Sequence, residues 1–168
     1  MNLQPILEND LILIRPLKVD DFKPLYKVAK DPLIWAQHHI KRYKPDIFKK
    51  FFEDSLKSGG ALIFIDQLTN EIIGSSRFNP IDGFPEGMEI GWSFLARHYW
   101  GGKYNRSVKK LMMDHAFSYV DHVILNIHKN NIRSQKAAEK IGGKRLSISD
   151  WTLIPRKNDD TLIYLISN

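Results

Sequence analysis

Residues 89–117 read EIGWSFLARHYWGGKYNRSVKKLMMDHAF, and this stretch decides the fold because it joins a strand to a helix through a glycine turn. The β-rich run Met88–Leu95 predicts the strand, and apolar residues at helical spacing predict a helix over Lys103–Tyr119. The adjacent glycines Gly101 and Gly102 lie in the turn between them. Since strand-to-helix turns are common ligand sites in mixed α/β folds, the stretch also marks a candidate site.

Outward from this stretch, strands and helices alternate along the chain. We predict strands at Leu11–Leu17, Ala61–Asp66, Glu71–Phe78, Met88–Leu95, Val123–Ile127, Arg145–Ile154 and Thr161–Ile166. We predict helices at Asp20–Lys30, from Pro45 to the turn at residues 58–60, at Lys103–Tyr119 and at Asn131–Ile141. This order predicts an α/β fold of the α+β type, in which helices pack on the faces of a mixed sheet.

Length and composition limit the class of protein. The 168 residues are enough for a real core, and we predict a single domain over residues 1–168. Because the chain has no cysteine, disulfides, thiol nucleophiles and thiolate metal sites are excluded. No segment has the length of an apolar membrane span, and the first residues lack a signal-peptide pattern. We therefore expect a cytoplasmic protein with no membrane partner.

Positive charge is concentrated in the glycine turn and in the helix after it. The net charge is +6, and five cations precede the first acid of this segment: Arg97, Lys103, Arg106, Lys109 and Lys110. The first N–H groups of a helix have no internal partner, and the helix dipole adds positive potential there. Because glycines let a bulky anion approach the backbone, the turn predicts a phosphate-binding site. A tight turn without a ligand is the alternative.

Two common nucleotide motifs are absent from this turn. A Walker loop needs Ser or Thr after Gly-Lys, but Tyr104 follows Gly102 and Lys103. The dinucleotide fingerprint needs Gly-x-Gly-x-x-Gly, whereas Gly101 and Gly102 are adjacent. A phosphate bound here is therefore not held by either motif.

Longer segments carry a resemblance to a known family. EIGWSFLARHYWGGKYN at 89–105 and NNIRSQKAAEKIGGK at 130–144, with IRPL at 14–17 and EIIGSSRF at 71–78, resemble the GNAT acetyltransferase superfamily. Within it the chain looks most like the RimJ/RimL-type ribosomal-protein N-terminal acetyltransferases. The resemblance covers essentially the whole chain. It implies a GNAT-like fold, with a mostly antiparallel sheet, splayed fourth and fifth strands, and helices on both faces.

The resemblance implies acetyl-CoA as cofactor and no metal. In this family the turn after the fourth strand binds the pyrophosphate through backbone N–H groups. The implied cofactor contacts are Arg97, Trp100, Gly101, Gly102, Lys103, Tyr104 and Asn105 of the turn, main-chain groups of Ser93, Phe94 and Leu95, and Asn131 and Ser134. Two positions depart from the family pattern, since His98 replaces Arg or Gln and Lys103 replaces a small residue. Lys103 could instead contact a phosphate directly.

The resemblance also implies residues at the reacting centre. Direct acetyl transfer needs a group that takes the amine proton and a proton for the departing thiolate. Glu89 is the candidate base, and Ser134 is the candidate proton donor. Contacts with the acceptor are expected from Trp35, His38, Arg77 and Trp92. The structural alternatives are Glu89 at a solvent-facing strand edge, Ser134 as an ordinary first-turn residue, Asn131 as a helix N-cap and Trp35 as core.

The leading prediction is an acetyl-CoA-dependent N-acetyltransferase that acts on a primary amine, either a protein N-terminus or a small amine. Two other functions stay open. A nucleic-acid-binding module would use the basic stretch, although no recognised reader motif supports it. A catalytically inactive acyl-CoA sensor would fit the departures at His98 and Lys103. We expect a monomer or a homodimer.

Overall fold

The protein is described by a computed structural model over residues 1–147, 154 and 158–168. Its strands in these residues are β1 (Leu7–Glu8), β2 (Ile12–Pro16), β3 (Ala61–Asp66), β4 (Ile72–Pro80), β5 (Gly87–Leu95), β6 (His122–His128), β7 (Lys144–Arg145) and β8 (Thr161–Ser167). They form one sheet in the order β1-β2-β3-β4-β5-β6-β8-β7. The predicted strand Arg145–Ile154 lies mostly outside the described residues, and β7 covers only its start.

Helices connect the strands where the sequence predicts them. They are α1 (Phe22–Ala29), α2 (Pro45–Lys57), α3 (Lys103–Phe117) and α4 (Ile132–Lys140). Pro45 opens α2 in the first turn, where its missing N–H has no helical partner to lose. A short 3-10 turn, Pro32–Trp35, lies between α1 and α2. This turn and the two-residue strand β1 are absent from the sequence prediction.

The sheet opens between its two parallel strands. Every strand pair described is antiparallel except β5–β6. The β5–β6 ladder joins only Gly87–Glu89 to His122–Ile124, while β5 stays paired with β4 as far as Leu95. We call the gap between the second halves of the two strands the β5–β6 opening. The predicted, mostly antiparallel sheet with two splayed strands is confirmed.

Successive side chains along the strands point to opposite faces of the sheet, and both faces are apolar. Helices cover both faces, as predicted. On one face, Leu62 and Phe64 pack in a core with Met112 of α3 and Ala138 of α4. On the other face, Ile63 packs in a core formed with α1 and α2. The aromatic residues of α2 in this second core are Phe48, Phe51 and Phe52. Full burial of each large apolar side chain contributes about 1.5–3 kcal/mol, so both helix pairs are held firmly against the sheet.

Candidate active site

The glycine turn leads to a helix start that no side chain of residues 1–147, 154 and 158–168 caps. Gly101 has a φ of +69°, a left-handed conformation that favours glycine. Gly102 is the N-cap of α3 and supplies no side-chain hydrogen bond to the first turn. The N–H groups of Lys103, Tyr104 and Asn105 therefore lie at the positive end of the helix dipole without a side-chain cap.

The backbone around Gly102 is open enough for a phosphate group to approach. Its φ of −110° is accessible to any residue, so backbone conformation does not require glycine at this position. Among the described residues, a Cβ there would meet only the carbonyl oxygen of Trp100, at 3.9 Å, and a Cβ at Gly101 would meet nothing within 4 Å. An added side chain would instead take up part of the open space beside this backbone. The residues of the turn thus fit a diphosphate.

A buried carboxylate that we did not predict holds the turn in place. Asp66, at the end of β3, is 2% exposed and accepts hydrogen bonds from the hydroxyls of Tyr99 (2.8 Å) and Tyr104 (3.3 Å). Burial acts to raise the pKa of Asp66, but its hydrogen bonds, including those from Leu68 and Thr69, bring the net pKa below the usual value. Burial and the bond to Asp66 also raise the pKa of Tyr99 to about 12. Asp66 therefore ties both sides of the glycine turn to the β3–β4 connection.

The predicted cations of the turn are not all directed at the helix start. The Arg97 guanidinium forms an ion pair with Asp31, and the hydrogen bond from Arg97 lowers the pKa of Asp31. The ammonium of Lys103 lies 5.7 Å from the ring centre of Tyr104, in the first turn of α3. Lys103 is thus better placed than Arg97 to act on an anion at the helix start.

The edge of β5 carries the predicted main-chain contacts. Ser93 is exposed, and its hydroxyl accepts a hydrogen bond from Lys109 Nζ at 3.3 Å. Phe94 is buried in the core beneath α1 and α2. The carbonyl of Leu95 accepts a hydrogen bond from the indole N–H of Trp100, at 2.7 Å. Trp100 therefore links the end of β5 to the glycine turn and engages one of the carbonyls predicted to contact the cofactor.

Glu89 is buried where the opening begins. The residue is 3% exposed and forms the last ladder pair between β5 and β6, so the alternative of a solvent-facing edge is wrong. Asn79 Nδ2 donates to Glu89 Oε2 at 3.1 Å, and Asn126 Nδ2 donates to Oε1 at 3.0 Å. Asn126 Oδ1 is itself buried and has no hydrogen-bond partner in the described part of the chain. Two amides that we did not predict therefore orient the carboxylate.

A bulge next to Glu89 sets the position of Trp92. The register between β4 and β5 shifts between Ser75 and Arg77, and Trp92 has a φ of +55°. A positive φ is strained for a bulky residue and persists only where the surrounding structure imposes it. The guanidinium of Arg77 lies 4.3 Å from the ring centre of Trp92 and donates to Ser55 Oγ at 2.7 Å. The predicted acceptor contacts Arg77 and Trp92 are thus together.

The start of α4 lies across the opening from the glycine turn. Asn131 Oδ1 accepts a hydrogen bond from the N–H of Ser134, at 3.2 Å, so Asn131 is the N-cap of α4. The backbone N–H of Arg133 donates to Gln37 Oε1 at 2.9 Å. The Arg133 guanidinium lies 4.0 Å from the ring centre of Trp100. The half-buried Ser134 therefore sits in a first turn that is tied both to the loop after α1 and to the glycine turn.

The other two predicted acceptor contacts are packed against each other. Trp35 is 1% exposed, and its indole N–H donates to the carbonyl of Ala29 at 2.7 Å, so it is a core residue. His38 lies edge-on to Trp35. Burial, together with positive neighbours such as Arg42, lowers the pKa of His38 to about 3. The imidazole is therefore neutral at physiological pH and adds no charge to the site.

Neither a metal-binding cluster nor a membrane-spanning helix is found among the described residues. No group of three or more His, Asp or Glu side chains is arranged there to bind a metal ion. None of the helices in those residues combines the length and apolar character needed to cross a membrane.

The described residues thus place the start of α3 beside the β5–β6 opening and a buried carboxylate where that opening begins. The model of the family described as the acetyltransferase (GNAT) domain matches residues 12–144. The chain therefore belongs to the GNAT acetyltransferase family, in which acetyl-CoA is the acetyl donor. No curated protein sequence matches it at a significant level.

Solved structures share the fold at low sequence identity. A GCN5-related N-acetyltransferase from Brucella melitensis has a TM-score of 0.81 at 17% identity, over 98% of this chain and 79% of its own. An acetyltransferase from Agrobacterium tumefaciens str. C58 has a TM-score of 0.74 at 24% identity, over 98% and 95%. A Vibrio cholerae structure described as a candidate ribosomal-protein-serine acetyltransferase has a TM-score of 0.78 at 11% identity, over 100% of both chains. At these identities the likeness establishes the fold.

Proposed function

We propose that this protein transfers the acetyl group of acetyl-CoA directly to a primary amine in a ternary complex. The observation that carries the proposal is the position of the uncapped start of α3 at the mouth of the β5–β6 opening and of the buried Glu89 at its apex. A donor held by its phosphates at the mouth would extend toward the carboxylate. The absence of cysteine from the sequence is consistent with transfer that needs no thiol intermediate on the enzyme.

The donor side of the site is assigned to the turn and to the edge of β5. Backbone N–H groups of Lys103, Tyr104 and Asn105 would bind the diphosphate, and the open backbone at Gly101 and Gly102 would let it approach. A strand edge released from its neighbour offers N–H and C=O groups to an extended ligand, so residues 93–95 would line the pantetheine arm. When bound, acetyl-CoA supplies an acetyl group activated as a thioester.

The acceptor side needs a base, because an ammonium group is not a nucleophile. Glu89 would take the amine proton, directly or through a water molecule. The amides of Asn79 and Asn126 hold its carboxylate in one orientation, which reduces the reorganisation needed for proton transfer. Asn126 Oδ1 is a ready acceptor for a second N–H of the amine. The Ser134 hydroxyl would donate a proton to the leaving sulfur.

The class of amine is proposed by analogy. The RimJ/RimL-type resemblance favours a protein N-terminus as acceptor, and so does the description of the Vibrio cholerae neighbour. A small amine is the alternative, since family membership leaves the acceptor open.

A pair of measurements tests this function. Isothermal titration calorimetry with coenzyme A tests the donor site, and release of free thiol from acetyl-CoA over a panel of amines and peptides tests transfer. We expect Glu89→Gln to lower kcat/KM by about 100-fold while the Kd for coenzyme A changes by less than about twofold. The control is Glu86→Gln, an exposed acid three residues away, which should leave both values unchanged.

Three outcomes would contradict parts of the proposal. No heat at about 1 mM coenzyme A would overturn the donor site. Unaltered turnover of Glu89→Gln at every pH would remove Glu89 from the mechanism. Binding of coenzyme A without turnover of any amine in the panel would favour an inactive sensor.

A further inference from the structure

Two guanidinium groups are buried on the side of the sheet that α1 and α2 cover. Arg42 and Arg77 are each 7% exposed. Neither forms an ion pair with any described residue, whereas Asp54, an acid whose charge attracts Arg77, pairs with Lys50 at 3.1 Å. Buried arginines normally have an acidic partner, because an uncompensated charge is costly to remove from water.

Arg42 is held by aromatic rings. Its guanidinium carbon lies 5.3 Å from the ring centre of Trp35 and 4.8 Å from that of Phe51. No hydrogen bond from this guanidinium to a described residue accompanies the two ring contacts. Cation–π contacts recover only part of the lost hydration, and burial lowers the pKa of Arg42 to about 10, with repulsion from Arg77 adding to the effect. Arg42 therefore retains donors that an anion could use.

Arg77, closer to the candidate base, has a buried donor without a described partner. Its Nη2 donates to Ser55 Oγ at 2.7 Å, but its Nε is buried without a partner in the described part of the chain. Burial lowers the pKa of Arg77. The negative charges of Asp54 and Glu89 raise it, but they offset only part of the effect of burial. The ring of Trp92 supports the guanidinium from one side. A buried N–H without a partner beside a reactive centre indicates a missing ligand group.

We propose that Arg42 and Arg77 form an anion subsite for the acceptor, so that this protein acetylates amines that also carry a carboxylate or a phosphate. The inference rests on the acetyl-transfer function proposed above and narrows its acceptor. Guanidinium groups present planar pairs of donors that match both anions. Arg42 lies over the ring of Phe51, and Arg77 donates to Ser55, one turn further along α2, whose hydroxyl donates to the Phe51 carbonyl. One anion held between the two guanidinium groups would therefore compensate both charges.

The strand register limits the size of the acceptor. Arg77 is the ladder partner of Gly91 in β4–β5, and Glu89 lies two residues before Gly91 on β5. Side chains in such diagonal positions start about 7 Å apart. The amine at Glu89 and the anion at Arg77 must therefore be separated by only a few bonds. A free amino acid, a peptide whose first residue is acidic, and a small phosphorylated amine all have this spacing.

Matched pairs of acceptors test the subsite and separate these sources. Each pair differs only in the anionic group. The pairs are glutamate and its diamide, glutaminamide; a peptide beginning with Asp and the same peptide beginning with Asn; and phosphoethanolamine and ethanolamine. For at least one pair we expect the wild-type protein to give a kcat/KM at least about tenfold higher with the anionic member, mainly through a lower KM. The pair with the largest ratio identifies the source of the anion.

Variants assign the preference to the two arginines. In Arg42→Met and in Arg77→Met, we expect the kcat/KM for the anionic acceptor divided by that for its neutral partner to fall close to one. The Kd for coenzyme A should stay within about twofold of the wild-type value. Replacing a charge that is buried without a partner by an apolar side chain is neutral or stabilising, so Tm should stay the same or rise. A purely structural role would instead lower Tm. The matched control is Arg145→Gln, at an exposed position in β7, which should preserve the ratio.

A ligand-binding measurement keeps the inference separate from the proposed function. Succinate, a dianion without an amine, should change the tryptophan fluorescence of the wild-type protein saturably, and Trp92→Phe should remove most of this change. Equal kcat/KM within every pair, or no saturable response to succinate, would overturn the anion subsite even if amines are acetylated. No binding of coenzyme A together with a saturable response to succinate would overturn the acetyl-transfer function and leave the subsite standing.

Discussion

The substitution Gly102→Ala separates diphosphate binding by the turn from the stability of the fold, because it should weaken the first strongly and lower the second only slightly. Gly102 has a φ of −110° and a ψ of −162°, which alanine adopts without strain. In the part of the chain that the structure describes, the new Cβ would meet only the Trp100 carbonyl oxygen, at 3.9 Å. Alanine is a poorer N-cap than glycine, so Gly102→Ala should cost about 0.5 kcal/mol of stability. For a chain of 168 residues this lowers Tm by about 1–2 °C.

The same methyl group would take up part of the open space at the N-cap of α3, through which we propose that the diphosphate approaches the first-turn amides. A hydrogen bond to a charged group contributes about 1.5–3 kcal/mol, so losing one of them should weaken the binding of coenzyme A by about 10- to 100-fold. Isothermal titration calorimetry gives the Kd for coenzyme A and for pantetheine, which lacks the diphosphate. The loss should appear with coenzyme A and not with pantetheine.

Gly101→Ala is the matched control in the same turn. Its φ of +69° strains alanine, so this variant should lose about 1 kcal/mol or more of stability in addition to any effect on binding. If Gly102→Ala binds coenzyme A with wild-type affinity, the diphosphate does not contact this helix start, and the reasoning about the glycine turn is refuted.

Two further predictions concern charged side chains next to the site, those of Asp66 and Lys109. Asp66→Asn should remove charge-assisted bonds from Tyr99 and Tyr104, lowering the free energy of unfolding by about 2 kcal/mol and weakening coenzyme A binding through the displaced turn. Because the pKa of Asp66 is lowered in the fold, its charge stabilises the protein fully above its ordinary pKa of 3.8, and this stabilisation is lost as pH falls through the folded pKa. The difference in Tm between wild type and Asp66→Asn should therefore narrow below about pH 4. A difference that stays constant with pH would contradict this. Burial lowers the pKa of Lys109 from 10.5 to about 8. The charged form of Lys109 therefore destabilises the folded protein below about pH 8, and this destabilisation disappears as pH rises from 8 to 10.5. Since its side chain is only partly buried, Lys109→Met should raise Tm at pH 7 by a few degrees, and melting curves at pH 7 and pH 10.5 should show the gain disappearing.

The elements around the site were predictable because their signals are local. The helix α3 begins at Lys103 directly after two glycines, and α2 begins at Pro45, as predicted from residues within one turn of each boundary. The fold and family also follow from motifs in continuous segments. A local signal also marked Asn131, whose side chain caps the helix that follows it.

The partners of Glu89 were not predictable in the same way. Asn79 reaches Glu89 because the β4–β5 register places them opposite each other, and Asn126 reaches it from a strand 37 residues away. Asp66 meets Tyr99 only when the turn folds back over the β3–β4 connection. Such contacts depend on register and topology, which a single sequence does not fix. An asparagine inside the otherwise apolar run VILNI at 123–127 was the one visible hint.

Arg97 has a partner that its position in the sequence does not indicate. It is adjacent to His98, which stands where the family has Arg or Gln, and the resemblance therefore implied a cofactor contact for Arg97. In the structure its guanidinium pairs with Asp31, which follows α1. Whether Arg97 also contacts the cofactor stays a prediction.

The central claim is that backbone amides at the start of α3 bind the diphosphate of the acetyl donor. An NMR titration of the 15N-labelled protein with coenzyme A tests this residue by residue. We predict that the largest amide shifts occur at residues 102–105, with smaller shifts along the β5 edge at 93–95. Saturation with coenzyme A that leaves the amides of 102–105 unmoved would contradict the claim.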